Sequence, residues 1–299
     1  MDAGGFGNRL GLRDAYRSAR GEEVVTSSGQ SARLARPLDW LVITDHSDGL
    51  GMIQDALAGS PPMTRFEQGA RWSKGIRAGG QKAIEAALDL IGTFSQGKVN
   101  PEMFANYSPG SRRYATVWDD IINAADEFNE PGRFTALIGF GWTSLANGGN
   151  MHRNVIFRDN GDRARQVVPF TTQAPIGSID PLDLYKYLEN YEAKTNGAVL
   201  ALAHDGNLSN GIMFPVDAHS FLSPDDEFAD YGTWDLGNLD LSEAKTDDML
   251  QYEYLREALK NDLALEQKFG ANPYKFGLSG ATDSHTSLAT SPILYTPSS

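Results

Sequence analysis

The sequence contains no cysteine among its 299 residues, which excludes a disulfide framework, a thiolate metal site and a cysteine nucleophile. Histidine is scarce as well, with five in the chain, so any metal has to be held by those few imidazoles and by carboxylates. Positive charge is in short supply: 26 Lys and Arg stand against 39 Asp and Glu, a net charge of −13, with a pI near 4.8. Such a balance repels nucleic acid and anionic lipid, and no basic stripe overturns it. Small solutes are therefore the expected partners. No run approaches the roughly 18 apolar residues of a membrane helix. Met1 to Gly7 has neither the basic n-region nor the apolar h-region of a signal peptide, and a signal upstream of Met1 leaves the compartment open. With 40% hydrophobic residues and five Trp, the chain can bury one large core, and residues 1–299 are expected to form a single domain.

What the sequence does have is a recurring pattern. Leu38 to Thr44 is apolar and β-branched, starts after Pro37 and stops on Asp45-His46. It reads as a buried strand covered on both faces, with two metal-capable side chains at its carboxyl end. Alone, the pair could equally cap the next helix or sit in a turn. But Gly197 to Ala203 ends on His204-Asp205, and Phe276 to Thr282 ends on Asp283-Ser284-His285. Strands carrying their polar groups at the carboxyl ends are how α/β barrels and open α/β sheets build sites.

Taken in order, the spacing predicts helices over Leu10 to Arg20, Met52 to Leu57, Arg65 to Ala78, Gln81 to Phe94 and Ser111 to Phe128, the last with Tyr114, Val117, Trp118, Ile121 and Ile122 on one side. Glu22 to Ala35 is polar and turn-rich. Phe134 to Phe140 is the second expected strand. Gly141 to Arg153 reads as a glycine-rich loop leading into a strand at Asn154 to Phe157, and His152 within it is either a ligand or a hydrogen-bonded surface residue. Asp180-Pro181 is a cap followed by proline at the first helical position, opening a helix to about Lys194. Gly206 to Gly211 either binds an anion or makes turns. His219 follows no strand and is expected to be a dispensable surface histidine. Thr246 to Phe269 is expected to be the longest helix, with Met249, Leu255, Leu259, Leu263 and Phe269 as its core stripe.

Four segments together carry a family resemblance: Leu41 to Ser47, Gly149 to Val155, Ala203 to Asn210 and Thr282 to Thr286. They resemble the PHP (polymerase and histidinol phosphatase) superfamily and, within it, the domain-of-unknown-function family 3604. The resemblance implies an α/β fold, a distorted (β/α)7 barrel, with one or more Zn, Mn or Fe ions at its carboxyl face. It implies hydrolysis of a small phosphate-ester-like substrate by a metal-bound water. Asp45, His46, His152, His204, Asp283 and His285 would be the metal ligands. Arg153, Asn207 and Asn210 would orient the substrate's anionic group. If so, His46, His204, Asp283 and His285 should bring their ligand atoms within about 8 Å of one point.

The departures from that pattern set the alternative. Family members begin with a strand bearing His-x-His, upstream of a segment like Asp2 to Leu10, so the barrel is expected to lack its first strand. A metal-bridging Glu stands where this chain has Gly141, and the chain is shortened near 215–219. The first reading is a metal-dependent hydrolase. The alternative is a catalytically inactive remnant of the same fold that binds metal or a partner, and a third reading is an α/β domain with structural histidines. Unpaired barrel edges would favour association with a second copy.

Overall fold

The computed structural model describes residues 2–146, 149–174, 176–204, 208–213, 236–238, 242–275, 277–278 and 283–288. Helix α1 (Leu12–Ala19) leads to a short antiparallel ladder of β1 (Val24–Val25) and β2 (Ser31–Ala32), then to β3 (Trp40–Ile43). A helical excursion follows, through α2 (Met52–Ala58), α3 (Pro61–Thr64), α4 (Glu67–Ala78), α5 (Gly80–Ser95), α6 (Pro101–Phe104) and α7 (Arg112–Phe128). The chain returns as β4 (Thr135–Ala146) and β5 (Gly149–Phe157), then runs through α8 (Gly161–Ala164) and α9 (Pro181–Thr195) into β6 (Val199–His204). Helices α10 (Asp247–Leu250) and α11 (Leu255–Phe269) come last.

The main sheet has the order β3-β4-β5-β6. β3 lies parallel to β4, from Trp40↔Thr135 to Ile43↔Ile138, while β5 is antiparallel to both β4 and β6. This is a mixed α/β fold, and the sheet does not close into a barrel among the described residues. One sheet face is covered. Ala136, Ile138, Phe140 and Trp142 of β4 alternate inward with Val155 and Phe157 of β5, against Tyr114, Val117, Trp118, Ile121 and Phe128 of α7 and Leu184 and Tyr191 of α9. That alternation is the two-residue period of a strand meeting the three- and four-residue period of a helix.

The caps explain where the covering helices begin. Ser111 accepts from Tyr114 N–H at the start of α7, and Asp180 accepts from Leu182 N–H ahead of Pro181 in α9, each satisfying a donor the first turn leaves open. α9 ends at Asn196, in the left-handed region at φ 52°. The excursion has its own core, with Trp72 and Ile76 of α4 packed against Met52, Ile53 and Ala56 of α2 and against Met63, Met103 and Tyr107.

Four expectations need correction. The stretch from Gly141 to Arg153 is not a loop: β4 runs on to Ala146, β5 starts at Gly149, and Ala146 pairs with Gly149. This hairpin turns β5 antiparallel where a helical crossover would have kept it parallel. β3 is an outer strand of the described sheet, and Trp40 is 42% exposed, so it is not covered on both faces. The span Glu22 to Ala35 is mostly exposed and rich in turns as expected, with the two-residue β1–β2 ladder inside it. Thr246 to Phe269 is two helices, broken at 251–254, where Tyr254 adopts extended backbone ahead of α11. The expected stripe on α11 is its outer face: Leu263 is 69% and Phe269 57% exposed, whereas Ala258, Asn261, Asp262 and Leu265 are buried. The buried polar groups are bonded inward, Asn261 Nδ2 to the Gln251 carbonyl and Asp262 Oδ1 from Tyr274 N–H. Apolar spacing alone selected the wrong side.

Candidate histidine site

The parallel ladder does not stop with β3. Gly141 N–H donates to the Asp45 carbonyl at 2.8 Å, and Ser47 N–H donates to the Gly141 carbonyl at 2.7 Å, so His46 stands in register with Gly141. On β4, Gly141 and Thr143 share a face, because side chains two apart on a strand point the same way. Thr143 pairs with His152 of β5, and His152 pairs with His204 of β6. Strand register thus places His46, His152 and His204 in a row on the sheet face opposite the α7–α9 core. They sit at the carboxyl ends of β3 and β6 and beside the carboxyl-terminal half of β4, the end where α/β sheets carry their sites.

The side chains meet there. Thr143 Oγ1 lies 2.8 Å from His46 Nδ1 and 2.6 Å from His152 Nδ1. The His46 and His152 ring centroids are 5.3 Å apart with a 41° tilt, and His152 stacks on His204 at 4.8 Å and 18°. His152 and Thr143 are both 5% exposed. Asn150, two residues before His152 and on the same side of β5, is fully buried, and neither amide atom has a hydrogen-bond partner among the described residues. Thr143 was not among the residues singled out from the sequence. The signal was present, since it lies two positions beyond Gly141, but reading that stretch as a loop removed the parity that would have assigned it a face.

Gly141 keeps space beside His46. A Cβ built on it would lie 3.0 Å from the Thr44 carbonyl oxygen and 3.5 Å from His46 Nδ1. A larger side chain at this position would therefore emerge within the row. Gly139, one pleat earlier on the same face, has no such room: a Cβ there would meet Val42 Cγ2 at 2.7 Å and the Val155 carbonyl at 2.8 Å.

The other expected residues have contacts of their own. Asp45 is buried at 8% exposure. The pleat turns it away from His46, into electrostatic range of the Tyr16 hydroxyl, whose pKa is raised first by burial and then by Asp45. Arg153 points to the face opposite His152. Its guanidinium donates to the His152 carbonyl at 2.9 Å and to Met213, at 2.7 Å to Sδ and 3.3 Å to the carbonyl oxygen. Asn210, in the left-handed region at φ 53°, donates through Nδ2 to Glu243. His285 sets its ring edge-on to Phe6, with centroids 5.4 Å apart, and its Nδ1 lies 3.0 Å from the Asp283 carbonyl. Asn207, His219 and most of the strand expected at Phe276 to Thr282 fall outside the described residues. Among the described residues, no group of three or more His, Asp or Glu is arranged to hold a metal ion.

One carboxyl beside the row is perturbed. Asp48 accepts from Thr172 N–H at 3.0 Å and from its hydroxyl at 3.1 Å, and burial pushes its pKa up to about 6 against those two bonds. Ser47 donates to the Phe170 carbonyl at 2.7 Å. Together these contacts pin the segment after His46 to residues 170–172, which fixes the His46 backbone from its far side.

No helix among the described residues is long and apolar enough to cross a membrane. No curated protein and no solved structure matches the chain. A family model does, over residues 1–217 and 215–292, under the description protein of unknown function (DUF3604). These two stretches take in the histidine row, the hairpin that builds it and the Asp283–His285 segment, and the chain belongs to the DUF3604 family.

Proposed function

We propose that the chain is a metal-dependent hydrolase scaffold of the PHP type, acting on small phosphate-ester-like anions, with its four-stranded sheet as one wall of a PHP-like barrel. The observation that carries this reading is the histidine row: three of the chain's five histidines, brought from residues 46, 152 and 204 to one sheet face. The donor chemistry suits a divalent cation in kind. Neutral imidazoles are ordinary ligands of Zn, Mn and Fe(II), and a ring whose Nδ1 is fixed by hydrogen bonding presents Nε2 in a set direction. His46 and His152 would hold the cation through Nε2. The ring of His204 lies nearly parallel to that of His152, and lone pairs lie in the ring plane, so the two would serve neighbouring positions rather than one. A bound cation would supply Lewis-acid polarisation of the ester and a more acidic water. Arg153 and Asn210 receive no role in this site: Arg153 faces the other side of the sheet and donates to Met213, and Asn210 Nδ2 donates to Glu243.

The rival reading, a catalytically inactive remnant that binds a cation or a partner, draws on Gly141, which leaves a carboxylate position blank beside His46. Calorimetric titration with zinc or manganese, followed by turnover of a generic phosphodiester, separates the two. Binding that is lost in His46→Ala and His152→Ala, with turnover, supports the hydrolase. Binding without turnover supports the remnant, and no binding by the native chain removes both as cation sites. Gly141→Glu should add a ligand. It should lower the melting temperature without cation, since the Thr44 carbonyl must yield by a few tenths of an ångström, and raise it at saturating zinc, because binding to the native state adds to stability.

A further inference from the structure

The geometry points to Asn150 as a specificity-determining residue that exchanges hydrogen bonds with a hydroxyl on the alcohol part of the substrate. Asn150 is 0% exposed, and neither its Nδ2 nor its Oδ1 has a hydrogen-bond partner among the described residues. Asparagine is disfavoured inside strands, and a buried amide left without bonds forfeits the hydration it had in the unfolded chain. The position is therefore costly twice, and leucine would fill the same volume at neither cost. Its described neighbours on the sheet offer nothing in exchange. Leu145, its partner across the hairpin, is apolar. Thr143, one pleat along on the same face, holds its hydroxyl against Nδ1 of His46 and of His152.

The chemistry of the amide and its place on the sheet say what would satisfy it. A carboxamide has two protons to donate on nitrogen and two lone pairs on oxygen. A phosphate or carboxylate only accepts, so it would bond to Nδ2 and set its own oxygens against Oδ1. A cation would bond to Oδ1 and repel Nδ2. A hydroxyl both donates and accepts, and one hydroxyl, or two on adjacent carbons, satisfies both ends. Asn150 precedes His152 by two residues on the same side of β5, which is about 7 Å along a strand. That is the reach from a phosphoryl group beside the histidine row to a hydroxyl a carbon or two beyond the ester oxygen. On the hydrolase reading proposed above, on which this inference rests, the row holds the phosphoryl group and Asn150 holds the alcohol. The substrate class narrows from small phosphate esters at large to phosphate esters of a polyol.

The test uses the full chain with zinc or manganese and two substrates of equal carbon number, glycerol phosphate and propyl phosphate. The native chain should favour glycerol phosphate by at least about 10-fold in kcat/KM, because a site built to hydrogen-bond a hydroxyl rejects the analogue that lacks it. Asn150→Leu should bring that ratio close to one and raise the melting temperature of the cation-free protein, since it removes the orphaned amide and keeps the volume. Turnover of both esters by the native chain at equal kcat/KM, or a native ratio that persists in Asn150→Leu, overturns the inference and leaves the hydrolase standing. A ratio that collapses together with a lower melting temperature assigns Asn150 to structure and overturns it as well. Should Asn150→Leu fail to fold, Asn150→Ala carries the same comparison of ratios. If the native chain turns over neither ester, the hydrolase reading falls and binding decides. The side-chain ¹H–¹⁵N resonance of Asn150, assigned by its absence from the variant, should then shift with glycerol phosphate and stay in place with propyl phosphate; equal shifts, or none, overturn the inference.

Discussion

Asp48 sits two residues past His46, and its carboxyl is held neutral further up the pH scale than an ordinary aspartate because burial outweighs the two bonds from Thr172. Its folded pKa is raised to about 6 from 3.8, so the folded state binds more protons than the unfolded chain between those values. The contribution to stability is therefore fully present below about pH 4 and is lost as pH rises through about 6. Asp48→Asn keeps the shape and removes the charge. It should stabilise the protein at neutral pH by about 1–2 kcal/mol and flatten this segment of the stability profile. Urea denaturation at pH values on either side of the window checks it, and an unchanged slope would show that Asp48 does not titrate there. At this scale much of the candidate site was legible. His46 and His204 announce themselves by ending apolar runs, and His152 by its motif. Thr143 and the turn of Asp45 toward Tyr16 were missed, because each depends on which strand face a residue takes, and that is set by register rather than by composition; the burial of Asp48 depends on its packing against Thr172.

The helices were readable because their ends carry local chemistry: Ser111, Asp180 and Pro181 act within a turn of where they stand. The β4–β5 hairpin was not. Its residues are rich in glycine, and glycine signals a turn unless a neighbouring strand needs close approach. Gly139 is such a case, since a methyl group there would press on Val42 of β3 and on the Val155 carbonyl of β5 at once. Gly139→Ala should therefore cost about 1–3 kcal/mol, the penalty for overpacking a rigid site. Thermal unfolding measures it, and a loss below roughly 0.5 kcal/mol would mean that the strands part without resistance. The same reasoning explains the misread face of α11: its inner side carries Asn261 and Asp262, whose bonds to backbone outweigh their polarity, so hydropathy pointed outward.

For the molecule as a whole, the net charge of −13 attracts cations and works against association with polyanions such as nucleic acid. β3 and β6 are the outer strands of the described sheet. Among the described residues no further strand lies beyond them, and these edges are where one, from this chain or a second copy, would add.

The pairing of Trp40 with Thr135 also has a history in time. Ala146 pairs with Gly149 in the β4–β5 hairpin, so Thr143 and His152 meet by a local event. His46 can join them only after the whole excursion from α2 to α7 has folded back, and long closures come late. The row therefore assembles in sequence, with the half on β4 and β5 waiting for β3. Val155→Ala, in the hairpin, should slow refolding, whereas Val42→Ala, on β3, should mainly speed unfolding; stopped-flow chevrons of the two variants would reverse that assignment if β3 docked first.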